Sequence, residues 1–399
     1  MGEKKTSLRD NSMIWFGAAI GLGEILAGTL IAPLGFTRGV TAIIIGHVIG
    51  CILLYYAGII GGRTGKSAME TVRISFGNKG SNFFALLNVL QLVGWTAVMV
   101  LSGARATGVL ANPVLGFHGD AMWCVLIGAL IILWLLIGVQ NLGKINIIAV
   151  GGLFLLTILL STVVFRGGSA GETSGVMSFG AAVELSAAMP ISWLPLISDY
   201  TRFAEKPKAA TMASTVSYFI GSCWMYIIGL GAAIFFSESD IAVIMLQAGM
   251  GITGVLIIIL STVTTTFLDA YSAGVSTHTI AEKLSEKWVA VVVCIIGTVL
   301  AMFTPIAHYE NFLYFIGSVF APMIAILITD FFLIKEDHSQ ERLNTINFIL
   351  WLIGFLVYRQ FMSFDLIIGS TFPVMFITGL LCILVHGGKK LCLKKSWTM

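Results

Sequence analysis

Twelve uninterrupted apolar runs divide this 399-residue sequence, and no other feature limits its possible folds as tightly. They lie near 13–34, 39–61, 82–104, 121–139, 145–165, 180–201, 211–236, 250–273, 288–304, 309–334, 345–361 and 370–386. Each is close to the roughly 20 residues that carry a helix across a hydrocarbon core of about 30 Å. Only helices and closed barrels satisfy their backbone polar groups within lipid. No run alternates in the manner of a barrel strand, so helices are expected throughout. Composition agrees: 57% of residues are apolar and 11% charged, against roughly 45–50% and 25% in soluble domains. With 23 basic and 20 acidic side chains, a water-facing surface of this size could not be covered. A soluble enzyme, a disordered chain and a nucleic-acid binder are excluded; the partner implied is the lipid bilayer.

Twelve crossings put both termini on one side. That side collects 19 of the 23 Lys and Arg, including Lys4, Lys5, Arg9 and the tail lysines 389, 390, 394 and 395. The opposite side keeps Arg38, Arg105, Arg166 and Arg359. By the positive-inside rule both termini are cytoplasmic, in a plasma (inner) membrane. The first run is too long for a signal peptide, so no cleavage is expected. Met1-Gly2 with Thr6 matches a myristoylation pattern, but a protein with twelve spans gains little from one lipid chain. Six Cys stand singly, without metal-ligand spacing, and read as small apolar residues.

The connections are short, the longest running from Gly167 to Ser178, and no soluble domain fits between spans. The stretch Gly61-Gly62-Arg63-Thr64-Gly65-Lys66-Ser67 ends like a phosphate-binding loop. Its first glycine would have to stand at Ile60, and no strand precedes it, so it reads as a basic loop. The metalloprotease pattern is absent and the six His are scattered. A transporter driven by an ion gradient is the economical reading, not an enzyme.

Charged groups inside a span are costly and mark pathways or sites. Three acids lie within spans: Glu24, Glu184 and Asp269. Glu24 follows Gly17, Gly21 and Gly23 and precedes Gly28 in the first span, a density of glycine that disfavours regular helix. The sixth span carries Met189-Pro190-Ile191-Ser192-Trp193-Leu194-Pro195, where each proline removes a backbone donor. The first and sixth spans correspond if spans 1–5 and 6–10 are inverted repeats, and interruptions at equivalent positions point to a midplane site. The plainer alternative is that the glycines serve close packing and the prolines kink their helix.

The eighth span supplies Ser261, Thr262, Thr264, Thr265 and Thr266 before Asp269. Such hydroxyls either bond their own helix or, with unwound carbonyls, serve as oxygen ligands for a small hard cation. In the third span Gln91, Trp95 and Met99 share one face. An aromatic face beside an amide suits a flat polar heteroaromatic ligand, although a membrane Trp more often packs or anchors.

At these residues the sequence resembles the nucleobase:cation symporter-1 family, the cytosine, allantoin and hydantoin permeases. The resemblance covers essentially the whole chain: the Gly-rich first span, Gly94-Trp95, Ser198-Asp199-Tyr200-Thr201-Arg202-Phe203 and the threonine pair before Tyr271-Ser272. The stretch from Gly23 to Pro33 is most like the CytX branch, assigned to hydroxymethylpyrimidine, a thiamin precursor. The resemblance implies an all-α polytopic membrane protein of LeuT type, two inverted five-helix repeats followed by two accessory helices. The expected organisation is an N-terminal tail (1–12), repeats at 13–165 and 180–334, accessory helices at 345–386 and a basic tail (387–399).

It also implies a sodium site between the first and eighth spans, at carbonyls of Gly21, Glu24 and Ser261 and hydroxyls of Thr264 and Thr265. Trp95 matches the family's stacking Trp; Met99 stands where hydantoin permeases carry Gln, which argues against hydantoin or allantoin. The expected pyrimidine site is Glu24, Gln91, Trp95, Met99, Ser192, Trp193 and Asp269. Trp95 stacks on the ring, Met99 meets the 2-methyl group, Trp193 closes the other face, and a carboxyl pairs with the exocyclic amine and ring nitrogen. Sodium is the expected coupling ion and a proton the alternative; a monomer without other cofactors is expected. The rival function is a LeuT-type transporter of an amino acid or quaternary amine.

Overall fold

A computed structural model describes residues 5–116, 119–137, 143–166, 175–236, 240–247, 249–303 and 309–396. Met1, Gly2, Lys4 and most of the loop from Gly167 lie outside the described residues, as do the side chains of Lys144, Lys389, Lys390, Cys392, Lys394 and Lys395. The described residues are helical apart from turns and one isolated bridge between Thr6 and Ala204. In chain order the helices are α1 (Leu8–Ala19), α2 (Leu22–Leu30), α3 (Phe36–Thr64), α4 (Ala68–Leu115), α5 (Ala121–Ile137), α6 (Gly143–Val164), α7 (Phe179–Ser192) and α8 (Ile197–Thr201). They continue as α9 (Pro207–Phe235), α10 (Ile241–Gln247), α11 (Gly251–Ile280), α12 (Glu286–Phe303), α13 (Tyr309–Ile328), α14 (Thr345–Phe361) and α15 (Thr371–Ser396), with a π-helical turn at Thr329–Ile334.

Eight described helical segments are long and apolar enough to cross a membrane, and α1 with α2 forms a further one bent by 48°. Three shorter apolar helices, Ala121–Ile137, Thr345–Phe361 and Thr371–Gly387, fall where the fourth, eleventh and twelfth spans are expected. The chain is thus a multi-pass helical membrane protein. Its first helix starts at Leu8, inside the stretch expected as a tail, because Ser7 and Asp10 form a reciprocal capping box. Thr6 is itself fixed: its N–H donates to the Phe203 carbonyl (2.8 Å) and its carbonyl accepts from Glu205 (3.1 Å).

The two interruptions expected from glycine and proline are present. Between α1 and α2 the chain leaves helical geometry at Ile20 (φ −92°, ψ 64°) and is extended at Gly21 (φ −110°, ψ 156°). Between α7 and α8 the chain turns through Trp193–Leu196, tightened by bonds from Leu194 N–H to the Ile191 carbonyl (3.0 Å) and from Leu196 N–H to the Trp193 carbonyl (3.1 Å). The helices sort into two packed groups. The interrupted pairs α1–α2 and α7–α8 pack with α3 and α9; α4, α11, α12 and α5 pack with one another. Within lipid, helices associate through close packing of small residues rather than a hydrophobic drive. A Cβ on Gly28 would overlap the Tyr226 carbonyl, and one on Gly229 the Ile25 carbonyl, so α2 and α9 meet backbone to backbone.

Candidate functional site

A small cavity lies where the two groups meet. Gly23 and Glu24 reach it from α2, Trp95 and Met99 from α4, Met189, Ser192 and Trp193 from the end of α7, and Thr265 and Asp269 from α11. Six of the seven residues expected to bind substrate therefore line one cavity. Its water-accessible space is about 10 Å³, room for about a single water. On one side Trp15 packs edge-on against Trp193 (5.6 Å between centroids), Tyr200 (5.9 Å) and Tyr218 (5.9 Å). On another, Phe312 packs edge-on against Trp95 at 5.5 Å, an approach that needs Gly94, whose Cβ would strike the Phe312 ring.

Glu24 and Asp269 are buried, 2% and 4% exposed. Among the described residues neither forms an ion pair. Among the described residues, Tyr218 donates a long hydrogen bond to the Glu24 carboxyl (3.4 Å). Two carboxyls in so dry a space need a proton, a cation or a donor-rich ligand to compensate them. The indole Nε1 of Trp193 is buried without a hydrogen-bond partner, while the Ser192 hydroxyl is used by its own helix, donating to the Met189 carbonyl (2.7 Å).

The oxygens expected around a cation sort differently. A Cβ on Gly21 would overlap the Glu24 carboxyl and come within 3.5 Å of Thr265 Oγ1, so the break, the acid and this hydroxyl converge. Thr265 Oγ1 is buried and has no hydrogen-bond partner. The Ser261 hydroxyl donates to the Ile20 carbonyl at the break (2.8 Å). Thr264 instead donates to the Leu260 carbonyl (2.8 Å) and lies 3.2 Å from that of Ser261, the self-satisfying use of a membrane threonine.

Gln91 is the expected substrate residue that does not line the cavity. Its amide donates to Asn88 Oδ1 (2.6 Å), and Asn88 in turn donates to Ser276 Oγ (2.8 Å) and the Pro195 carbonyl (3.1 Å). The Gln91 Nε2 is held by Asn88 one turn earlier on the same helix, while its Oε1 is buried without a hydrogen-bond partner. Gly23, Met189 and Tyr218 were missed as neighbours of the site. Gly23 and Met189 stand within the two interrupted segments and were legible there; Tyr218 sits on α9, which carries no irregularity to mark it.

Glu184, the third intramembrane acid, lies elsewhere. Tyr358 (2.5 Å) and Thr371 Oγ1 (2.6 Å) donate to its Oε1, and the Ser370 (2.6 Å) and Thr371 (2.8 Å) N–H groups donate to its Oε2. It thereby ties α7 to α14 and to the N-terminus of α15, where an anion is favoured.

Interrupted helices enclosing a small polar cavity between two helix groups define a membrane transporter rather than a channel or an enzyme. Residues 2–383 match the family described as permeases for cytosine and purines, uracil, thiamine and allantoin. The cytosine permease of Escherichia coli strain K12 is 27% identical over 353 residues, spanning 84% of this chain and 80% of that one. Mhp1, a nucleobase-cation-symport-1 family transporter solved in a closed conformation with bromovinylhydantoin bound, superposes with a TM-score of 0.81 at 21% identity, covering 99% of this chain and 94% of its own. A Na+-coupled sialic acid symporter in an outward-open state gives 0.64 at 15% identity, covering 94% and 88%. The last two establish the fold. The chain belongs to the cytosine/purine, uracil, thiamine and allantoin permeases, the nucleobase:cation symporter-1 family.

Proposed function

We propose that this protein is a sodium-coupled symporter that imports a pyrimidine, hydroxymethylpyrimidine or cytosine, across the plasma membrane by alternating access. The observation that carries this reading is the convergence of Glu24, Asp269, Trp95, Met99 and Trp193 on one cavity at the two interruptions. An aminopyrimidine offers an exocyclic amine to a carboxylate and a flat face to an indole. It can also place an acceptor nitrogen opposite a protonated carboxyl or the unpartnered Trp193 N–H. Met99 provides an apolar wall where a ring methyl would lie.

Sodium coupling draws support from the unpartnered Thr265 hydroxyl beside the Gly21 break and from likeness of fold to a Na+-coupled symporter. The proton alternative keeps one supporting contact, Tyr218 to Glu24. Twelve spans in two inverted repeats, with both termini cytoplasmic, complete the proposal. Spans 1, 2, 6 and 7 rock as one body against the group containing α4 and α11, and the cation favours the arrangement of the break that binds substrate.

A thermal-shift panel on the purified protein tests it. Hydroxymethylpyrimidine, cytosine, uracil, hydantoin and several amino acids are each compared in sodium and in potassium. Stabilisation by aminopyrimidines, larger in sodium, is expected. Stabilisation by amino acids alone, or equal shifts in both salts, would overturn the substrate or the ion respectively.

A further inference from the structure

Beyond the α13 π-helical turn, far from the transport cavity in sequence, three potential metal ligands point at one another. Glu336 Oε2 lies 3.1 Å from His386 Nδ1 and 3.5 Å from His338 Nε2, and the three ligand atoms all lie within 4.8 Å. Metal–ligand bonds of about 2.0–2.1 Å in a tetrahedron separate neighbouring ligand atoms by about 3.3 Å. The two separations from Glu336 bracket that value.

Proton placement makes the convergence specific. Asn347 donates its Nδ2 to Asp330 Oδ2 (2.8 Å) and to the Ser75 carbonyl (2.8 Å), which fixes the amide and leaves its Oδ1 facing His386. His386 therefore donates from Nε2 to that oxygen (2.9 Å), and a neutral ring turns the lone pair of Nδ1 toward Glu336. His338 repeats the pattern: Nδ1 bonds Glu341 Oε1 (2.8 Å), and Nε2 is buried without a hydrogen-bond partner. With both rings neutral, a carboxylate oxygen and two imidazole lone pairs face one another. Metal-binding His residues characteristically have the far ring nitrogen held in this way by a carboxylate or carbonyl oxygen.

The backbone holds the loop in place. Lys335 adopts the left-handed conformation (φ 59°) and re-aims the chain after the π turn. The His338 N–H donates to the Ile74 carbonyl (2.8 Å) and the Asn344 N–H to the Phe76 carbonyl (3.1 Å). Gly77 (φ 69°) permits this approach, since a Cβ there would lie 2.7 Å from the Glu341 carbonyl oxygen.

We propose that Glu336, His338 and His386 form a binding site for a zinc-class divalent ion, with one coordination position left to water. The ion joins the loop after α13 to α15. Deeper in the same cluster Asp330 and Cys382 bond each other (3.5 Å), so they are already paired and stand outside the site.

Full-length protein in detergent, stripped by a chelator and titrated with Co2+, tests this. Wild type is expected to bind near one equivalent with visible bands of nitrogen and oxygen ligation and no thiolate charge-transfer band, and Zn2+ should displace it. His338→Ala and Glu336→Gln, both at partly exposed positions, should weaken Co2+ binding by more than about tenfold; Cys382→Ser should not. Equal binding by wild type and His338→Ala overturns the site, which would then hold imidazolium–carboxylate pairs. A thiolate band lost in Cys382→Ser also overturns it, in favour of the Asp330–Cys382–His386 trio.

Discussion

Glu24 and Glu184 are the same side chain, similarly buried (2% and 5% exposed) on the two interrupted spans, and the protein surrounds them in opposite ways. Glu184 receives four hydrogen bonds from Tyr358, Ser370 and Thr371. Glu24 takes a long hydrogen bond from Tyr218 and shares a dry cavity with Asp269. A buried carboxylate with its acceptor sites filled has nothing to offer a ligand, whereas one left short of donors is held in readiness for a cation, a proton or a substrate. Burial of an acid inside a membrane span therefore marks importance without telling clasp from site; the donor count does.

The largest expected effect is on the clasp. Glu184→Ala strips the α15 N-terminus and Tyr358 of their acceptor, leaving buried donors unsatisfied, and should cost about 3–5 kcal/mol of stability, read as a lowered melting temperature, with pyrimidine affinity unchanged in protein that stays folded. A loss of affinity at unchanged stability would break the contrast. Glu24→Gln should do the reverse: uptake falls roughly 100-fold, about 3 kcal/mol, with the melting temperature of the apo protein held or raised. Trp95→Ala should weaken pyrimidine binding about tenfold, the loss of about 1–1.5 kcal/mol of aromatic contact, measured by calorimetry in sodium. The smallest effect separates two adjacent hydroxyls. Thr265→Ala should reduce sodium stimulation of uptake about fivefold, near 1 kcal/mol, and Thr264→Ala less, since its hydroxyl serves its own helix. Unchanged sodium dependence in both variants would sink the cation site.

Much of this was legible in the sequence, for identifiable reasons. Span positions follow from apolar run length, and the interruptions at Gly21 and at Trp193 follow from glycine density and paired prolines. Since the interruptions locate the cavity, Glu24, Ser192 and Trp193 came with them, and helical spacing brought Trp95 and Met99. What sequence could not supply was the destination of each polar group. Gln91 turns to Asn88, and Glu184 to the start of α15, partners fixed by tertiary contact rather than spacing. The Glu336–His338–His386 cluster joins residues about 50 positions apart in the chain, with no ligand pattern to betray it.

The glycine contacts between α2 and α9 have a mechanical consequence. Where Gly28 lies on the Tyr226 carbonyl and Gly229 on that of Ile25, no side chain stands between the two backbones. A layer of side chains acts as a cushion, since rotamers can adjust and absorb a small displacement. Bare backbone contact transmits it. Any tilt imposed on α2 is handed to α9 at full amplitude, and from there to the helices packed around it. The stiffness of this joint sets how far from the Gly21 break a displacement there can be felt.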